Sequence, residues 1–97
     1  MYKSSVFPVD PNKSLTDIQA IIEQTEAQRG SLLAISPFDH TATWLTVTHG
    51  PPQNKSIKME LLPVNSAPTA VAGYEFVCIG DCYINGVATG VAVYRQI

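Results

Sequence analysis

Apolar residues recur with a helical period in the first third of the chain and with a strand period after it. The helical stripe is formed by Leu15, Ile18, Ile21, Ile22 and the less apolar Thr25. Ser14 is a favourable N-cap and Gly30 is a favourable stop after the last turn. The pattern predicts an amphipathic helix over about residues 15–29. The polar side chains predicted to face away from its apolar stripe are those of Gln19, Glu23, Gln24 and Glu26.

After Gly30 the chain reads as a series of short strands separated by loops. These predicted strands cover residues 31–36, 41–48, 56–62, 70–84 and 87 to about 95, and one further strand, at residues 2–7, precedes the helix. The strand 56–62 alternates most clearly, with Ile57, Met59 and Leu61 on one face and charged residues on the other. Prolines at positions 51, 52, 63 and 68 mark the loops, because proline cannot donate to a ladder.

Asn85-Gly86 predicts a tight hairpin between the last two strands. Both residues tolerate positive φ, which a type I′ turn requires, and apolar runs flank them on either side. A two-residue turn places Ile84 opposite Val87 and Cys82 opposite Thr89.

Together these elements predict one α+β domain over residues 1–97. One N-terminal amphipathic helix packs on an antiparallel four- to six-stranded sheet or a partly closed barrel, in the chain order strand, helix, meander. The final hairpin is apolar on both faces, since Val77 and Ile79 alternate with Cys78 in one strand. A sheet covered by one helix should have one wet face, so this pattern favours a closed barrel, a central strand pair or a dimer interface.

Composition favours self-association. Hydrophobic residues make up 45% of the chain and charged residues only 14%, which is low for a small domain with a large surface. Part of that surface is therefore expected to lie against a copy of the chain or another protein, although a surface of uncharged polar residues is the alternative. The strands 41–48 and 87–94 carry no charge, and the residues predicted to form the interface are Thr43, Val91, Val93 and Tyr94.

Charge and hydropathy exclude two other classes of partner. The net charge is −2 and the six basic residues are scattered, which argues against nucleic acid. No apolar segment reaches 18 residues, and the first ten residues lack the apolar core of a signal peptide. A cytoplasmic location without membrane contact is the expectation, though a mature secreted chain preceded by a new Met1 would look the same.

The chemistry-bearing residues form no recognisable catalytic or metal-binding motif. His40 and His49 are separated by a strand of about 26 Å, and each is expected to be a solvated turn residue. On one continuous strand, Cys78 and Cys82 would lie about 13 Å apart, beyond the reach of a disulfide, whereas a turn at Gly80-Asp81 would bring them together. No catalytic residue, metal or cofactor is predicted. A ligand pocket, if present, is expected to be lined by Trp44, His40, Asp81, Cys82 and Tyr83.

The resulting functional hypothesis is a non-catalytic protein-binding or assembly module that associates with itself. One alternative is a small-ligand pocket or a modest enzyme between helix and sheet. Another is an inhibitor or immunity-type protein that acts by contact with a different protein.

Overall fold

The structure, a computed structural model, describes the backbone of residues 2–8, 12–37 and 43–97. Within these residues, one helix and six strands follow each other in the order β1 (Tyr2–Pro8), α1 (Leu15–Arg29), β2 (Ser31–Pro37), β3 (Thr43–His49), β4 (Ile57–Leu61), β5 (Tyr74–Ile84) and β6 (Val87–Gln96). The fold class is α+β and mostly antiparallel sheet, as predicted.

The strands form two sheets of three, in the orders β1-β3-β2 and β4-β6-β5. The expectation of one four- to six-stranded sheet or barrel in meander order is therefore wrong, and the helix is not N-terminal because β1 precedes it. In each sheet the last strand in sequence inserts between the two earlier ones. This arrangement pairs Tyr2 with His49 and Ile57 with Arg95, contacts between distant residues that carry no local sequence signal.

The helix has the predicted bounds. Ser14 caps it, because its hydroxyl accepts a hydrogen bond from the Asp17 N–H at 3.3 Å. Gly30 ends it at a φ of 127°, and its N–H donates to the Glu26 carbonyl at 3.2 Å. A side chain at Gly30 would also meet the carbonyl oxygen of Gly50, so this stop needs glycine for space as well as for conformation.

Three helix side chains predicted to face away from the apolar stripe instead hydrogen-bond to strand backbones. The Met59 N–H donates to Gln19 Oε1 at 2.7 Å, and the Ile57 N–H donates to Glu23 Oε1 at 2.8 Å. One turn further along, Glu26 Oε2 accepts from the Leu32 N–H at 2.8 Å. The expectation for these side chains is wrong because the helix covers the outer edge of β4 and the start of β2. The backbone N–H groups of β4 and β2 that meet the helix need acceptors, and these side chains provide them.

The hairpin is the one predicted. Asn85 and Gly86 have φ of 51° and 82°, the sign that a type I′ turn requires. Ile84 pairs with Val87 and Cys82 pairs with Thr89.

The two sheets meet where β5 crosses β2 at Gly80. A Cβ at Gly80 would fall on the carbonyl oxygen and the Cγ2 of Ile35, so glycine permits this approach. The core between the sheets and the helix contains Ile18, Ile22, Leu32, Ile35, Ile57, Met59, Cys78, Cys82, Ile84, Val91 and Val93. Leu61, predicted to share the inner face of β4, is instead exposed at the end of that strand.

Candidate functional site

The residues predicted to line a ligand pocket do not gather in one described cleft. His40 lies outside the described residues. Trp44 is placed by its backbone in β3, where it pairs with Phe7 and Pro37. The other three, Asp81, Cys82 and Tyr83, are consecutive on β5.

Because side chains alternate along a strand, Cys82 points to the opposite side of β5 from Asp81 and Tyr83. Cys82 is buried in the core, Asp81 is exposed and Tyr83 is half-buried. The ladder is regular through Gly80, and the irregularity of β5 falls at Val77 instead. Neither a bulge nor a turn is therefore present at Gly80-Asp81.

Both cysteines are free thiols that pack in the core. They lie on the single strand β5, which is the arrangement that excludes a disulfide between them. Burial raises the pKa of Cys78 to about 11 and, with the nearby Asp81 carboxylate adding to the effect, raises the pKa of Cys82 to about 12. A thiol that stays protonated at neutral pH is a poor nucleophile, so neither cysteine is activated.

The predicted interface residues lie in central strands. Val91, Val93 and Tyr94 of β6 are almost completely buried within the chain itself. Thr43 is in β3, which is hydrogen-bonded on both sides by β1 and β2. A central strand has no free edge for a second copy to pair with. Neither β3 nor β6 therefore offers an edge through which a second copy could extend its sheet.

A different apolar surface is exposed on the same hairpin. Phe76, Ile79, Asp81 and Tyr83 pair with Tyr94, Ala92, Gly90 and Ala88, so they share one face of the sheet. We call these four β5 residues the hairpin face. Phe76 is 51% exposed and Ile79 is 53% exposed. Asp81 is the one charged residue among the four.

The β6 side of this outer face is covered by the connection between β4 and β5, residues 62–73, which we call the strap. The strap is fixed in the middle by the Tyr94 hydroxyl, which donates to the Thr69 carbonyl oxygen at 2.8 Å. The Leu62 N–H donates to Gly90 at one end, and the Ile97 N–H donates to Gly73 at the other. The strap thus explains why β6 is apolar on both faces without a second chain.

Two cavities lie between the strap and the sheet. The first, the strap groove, has a volume of about 330 Å³ and is lined by Pro68, Thr69, Ala70, Val71, Tyr74, Phe76 and Tyr94. The second, of about 240 Å³, shares Pro68, Thr69 and Tyr94 with the first and extends towards Glu60. A more polar groove of about 410 Å³ lies between the helix and residues 54–56.

A buried charge cluster that was not predicted from the sequence is formed around Glu26 and Arg95. Glu26 is completely buried, and Arg95 holds its carboxylate with Nε at 2.9 Å and with a second, shorter contact from the guanidinium. Arg95 also donates to the Leu32 carbonyl at 3.1 Å and to the exposed Glu75 at 3.3 Å. The hydrogen bond with Glu26 raises the pKa of Arg95 further above its usual range. Every strong contact in this cluster joins two groups of the chain itself. The cluster therefore stabilises the fold and is not a candidate ligand site.

Among the described residues, no three His, Cys, Asp or Glu side chains are grouped so as to hold a metal ion. No helix in the same part of the chain has the length and hydropathy to cross a membrane. Comparison with known proteins gave no matching family model, curated protein or solved structure.

Proposed function

We propose that the chain is a non-catalytic contact module that associates with a second copy of itself through the hairpin face. The observation that carries the proposal is the pair Phe76 and Ile79, both about half exposed on the same face of the β5–β6 hairpin. Large apolar side chains held side by side on a rigid element are typical of protein-contact surfaces.

A second copy is the favoured partner because the face is self-complementary in its chemistry. It carries one charge, Asp81, which lies beyond the pair Phe76 and Ile79, so little electrostatic repulsion opposes self-pairing through that pair. A twofold arrangement would bring Phe76 of each protomer towards Ile79 of its partner, which is the pattern of an isologous interface. The low charge content of the whole chain points in the same direction.

The test is the mass of the particle in solution, measured by light scattering or sedimentation at micromolar concentrations. We expect a particle of twice the 10.5 kDa chain mass. Ile79→Lys should give a folded monomer, because it places a charge at the centre of the contact. Val64→Lys is the matched control, since Val64 is 89% exposed in the strap and lies outside the hairpin face.

Val91→Lys separates a surface effect from a core effect. Val91 has no exposed surface, so its replacement by lysine should unfold the chain rather than dissociate it. A wild-type monomer at high micromolar concentration would overturn self-association and leave the inhibitor-type alternative, contact with a different protein. An Ile79→Lys dimer as stable as wild type would remove the hairpin face as the contact.

A further inference from the structure

We propose that the strap groove binds a neutral aromatic small molecule of about two rings. The site is separate from the ligand pocket expected from the sequence, because it lies on the outer face of the second sheet and contains none of the five residues predicted to line that pocket. It overlaps the hairpin face at Phe76, and its other six lining residues lie outside that face.

The size of the groove sets the size of the ligand. Its volume of about 330 Å³ is at the lower end of the range for small-molecule pockets. A protein cavity of about 150 Å³ holds one benzene ring. By that scale the strap groove accommodates about two rings, fused or linked.

The lining sets the ligand's charge and shape. Tyr74, Phe76 and Tyr94 supply aromatic walls, while Pro68, Ala70 and Val71 supply aliphatic ones. Phe76 and Tyr94 already meet edge to face, with ring centroids 6.0 Å apart. Aromatic walls favour a planar aromatic guest. None of the described residues that line the groove is charged, so an ionic ligand would lose water without gaining a counter-charge.

One lining residue, Tyr94, has a hydroxyl group whose orientation is fixed. Tyr94 is only 1% exposed, and its hydroxyl hydrogen is directed to the Thr69 carbonyl. The hydroxyl oxygen therefore keeps its capacity to accept a hydrogen bond. A ligand with one O–H or N–H donor, such as a phenol or an aromatic amine, matches this acceptor.

The experiment compares two fluorescent probes that share one scaffold. 1-Naphthylamine is neutral at pH 7, has two fused aromatic rings and donates through its amine, and 1-naphthylamine-4-sulfonate is the same molecule with an added sulfonate. We expect the neutral probe to bind with one site per chain and a rise in fluorescence. The sulfonate should bind at least about tenfold more weakly, because its charge has no partner in the groove. Equal binding of the two probes would overturn the proposal.

Two tryptophan substitutions in the strap test the location. Val71→Trp fills the groove from a half-buried position and should abolish binding of the neutral probe while leaving the circular dichroism spectrum unchanged. Val64→Trp adds the same side chain at an exposed strap position and should leave binding intact. Retained binding in folded Val71→Trp would overturn the site.

Ile79→Lys distinguishes the groove from the hairpin face. If the groove is the site, this variant binds the neutral probe as wild type does, whatever its oligomeric state. Loss of binding in folded Ile79→Lys would assign the signal to the exposed contact face and would overturn the groove proposal. A monomeric wild type that still binds the neutral probe would defeat only the proposed function.

Discussion

Gly80 and Gly90 lie on the two strands of the same hairpin, where Gly80 pairs with Val91 and Gly90 with Asp81, yet their surroundings differ. Gly80 lies against the backbone and side chain of Ile35, where a Cβ has no room. At Gly90 the nearest atom to a Cβ would be the Leu62 carbonyl oxygen at 3.4 Å, which is an ordinary contact. The contrast shows that close packing of the two sheets depends on one glycine rather than on flexible hairpin residues in general.

Gly80→Ala should therefore lower the free energy of unfolding by about 1–3 kcal/mol, the usual range for forced overpacking. Gly90→Ala should change it by less than about 1 kcal/mol, and part of that change is a gain from the less flexible unfolded chain. Urea unfolding of both variants measures the difference. Equal stabilities would mean that β5 does not approach β2 as closely as described.

The cysteine thiols predict a pH dependence. In the folded chain the pKa of Cys78 is raised to about 11 and that of Cys82 to about 12, against 9.0 when unperturbed. The folded state thus holds more protons than the unfolded state above about pH 9. The free energy of unfolding should be unaffected by these groups below that pH and should fall as pH rises from about 9 towards the folded-state pKa values of about 11 and 12.

Urea unfolding between pH 8 and pH 11 measures this fall, and Cys82→Ala should make it shallower. At pH 8 an aromatic disulfide reagent should modify both thiols only after unfolding. Rapid modification of the folded wild type would contradict the burial of the two cysteines.

At the scale of elements, the helix acts as a cover for a strand edge. The outward N–H groups of β4, at Ile57 and Met59, would otherwise be open to another strand. Glu23 and Gln19, four residues apart on the helix, accept from these two groups in turn. The helix therefore blocks edge pairing by β4 through side-chain oxygens as well as by packing.

Hydrogen exchange tests this role residue by residue. Glu23→Ala should speed exchange of the Ile57 amide by about fivefold or more, which corresponds to the loss of about 1 kcal/mol of hydrogen bonding. The Met59 amide should change less. Gln24→Ala is the matched control, because Gln24 is exposed one position along the same helix. Similar rates for Ile57 in all three proteins would contradict the cover.

Local signals predicted the elements well and their assembly poorly. Ser14, Gly30 and Asn85-Gly86 act within a few residues of themselves, so the helix bounds and the hairpin register could be read from the sequence. The division into two sheets depends on pairings such as Tyr2 with His49, for which neighbouring residues carry no information. The strap groove could not be predicted for the same reason. The sequence of the strap predicts only a loop, and nothing near it in the chain indicates that Tyr94 lies beneath it.

At the scale of the whole molecule, Glu26 and Arg95 join the helix to both sheets. The carboxylate sits on α1, the guanidinium on β6, and their shared partner Leu32 on β2. A charged residue on an amphipathic helix is normally predicted to face solvent. The partner of Glu26, Arg95, lies 69 positions away, so the sequence did not predict this pair. Removing Arg95 leaves Glu26 buried without a counter-charge, and removing Glu26 leaves Arg95 with only the exposed Glu75 as a partner.

Glu26→Gln should accordingly lower the free energy of unfolding by about 3–5 kcal/mol. Glu75→Gln, which removes the exposed partner of the same arginine, should cost less than about 1 kcal/mol. Chemical denaturation of the two variants gives the comparison. A cost for Glu26→Gln no greater than that of Glu75→Gln would show that the buried pair adds little to stability.

The central position of β6 also constrains the order of events during folding. β4 and β5 have no partner in their sheet until β6 lies between them. The two-residue turn lets β5 and β6 pair within microseconds. β4 pairs with β6 only after closure of a much longer stretch of chain, which contains the strap and β5. We expect the hairpin to belong to the folding nucleus, so that Gly86→Val slows refolding, while Lys58→Gly on β4 mainly speeds unfolding. Stopped-flow kinetics showing the reverse pattern would place the nucleus outside the hairpin.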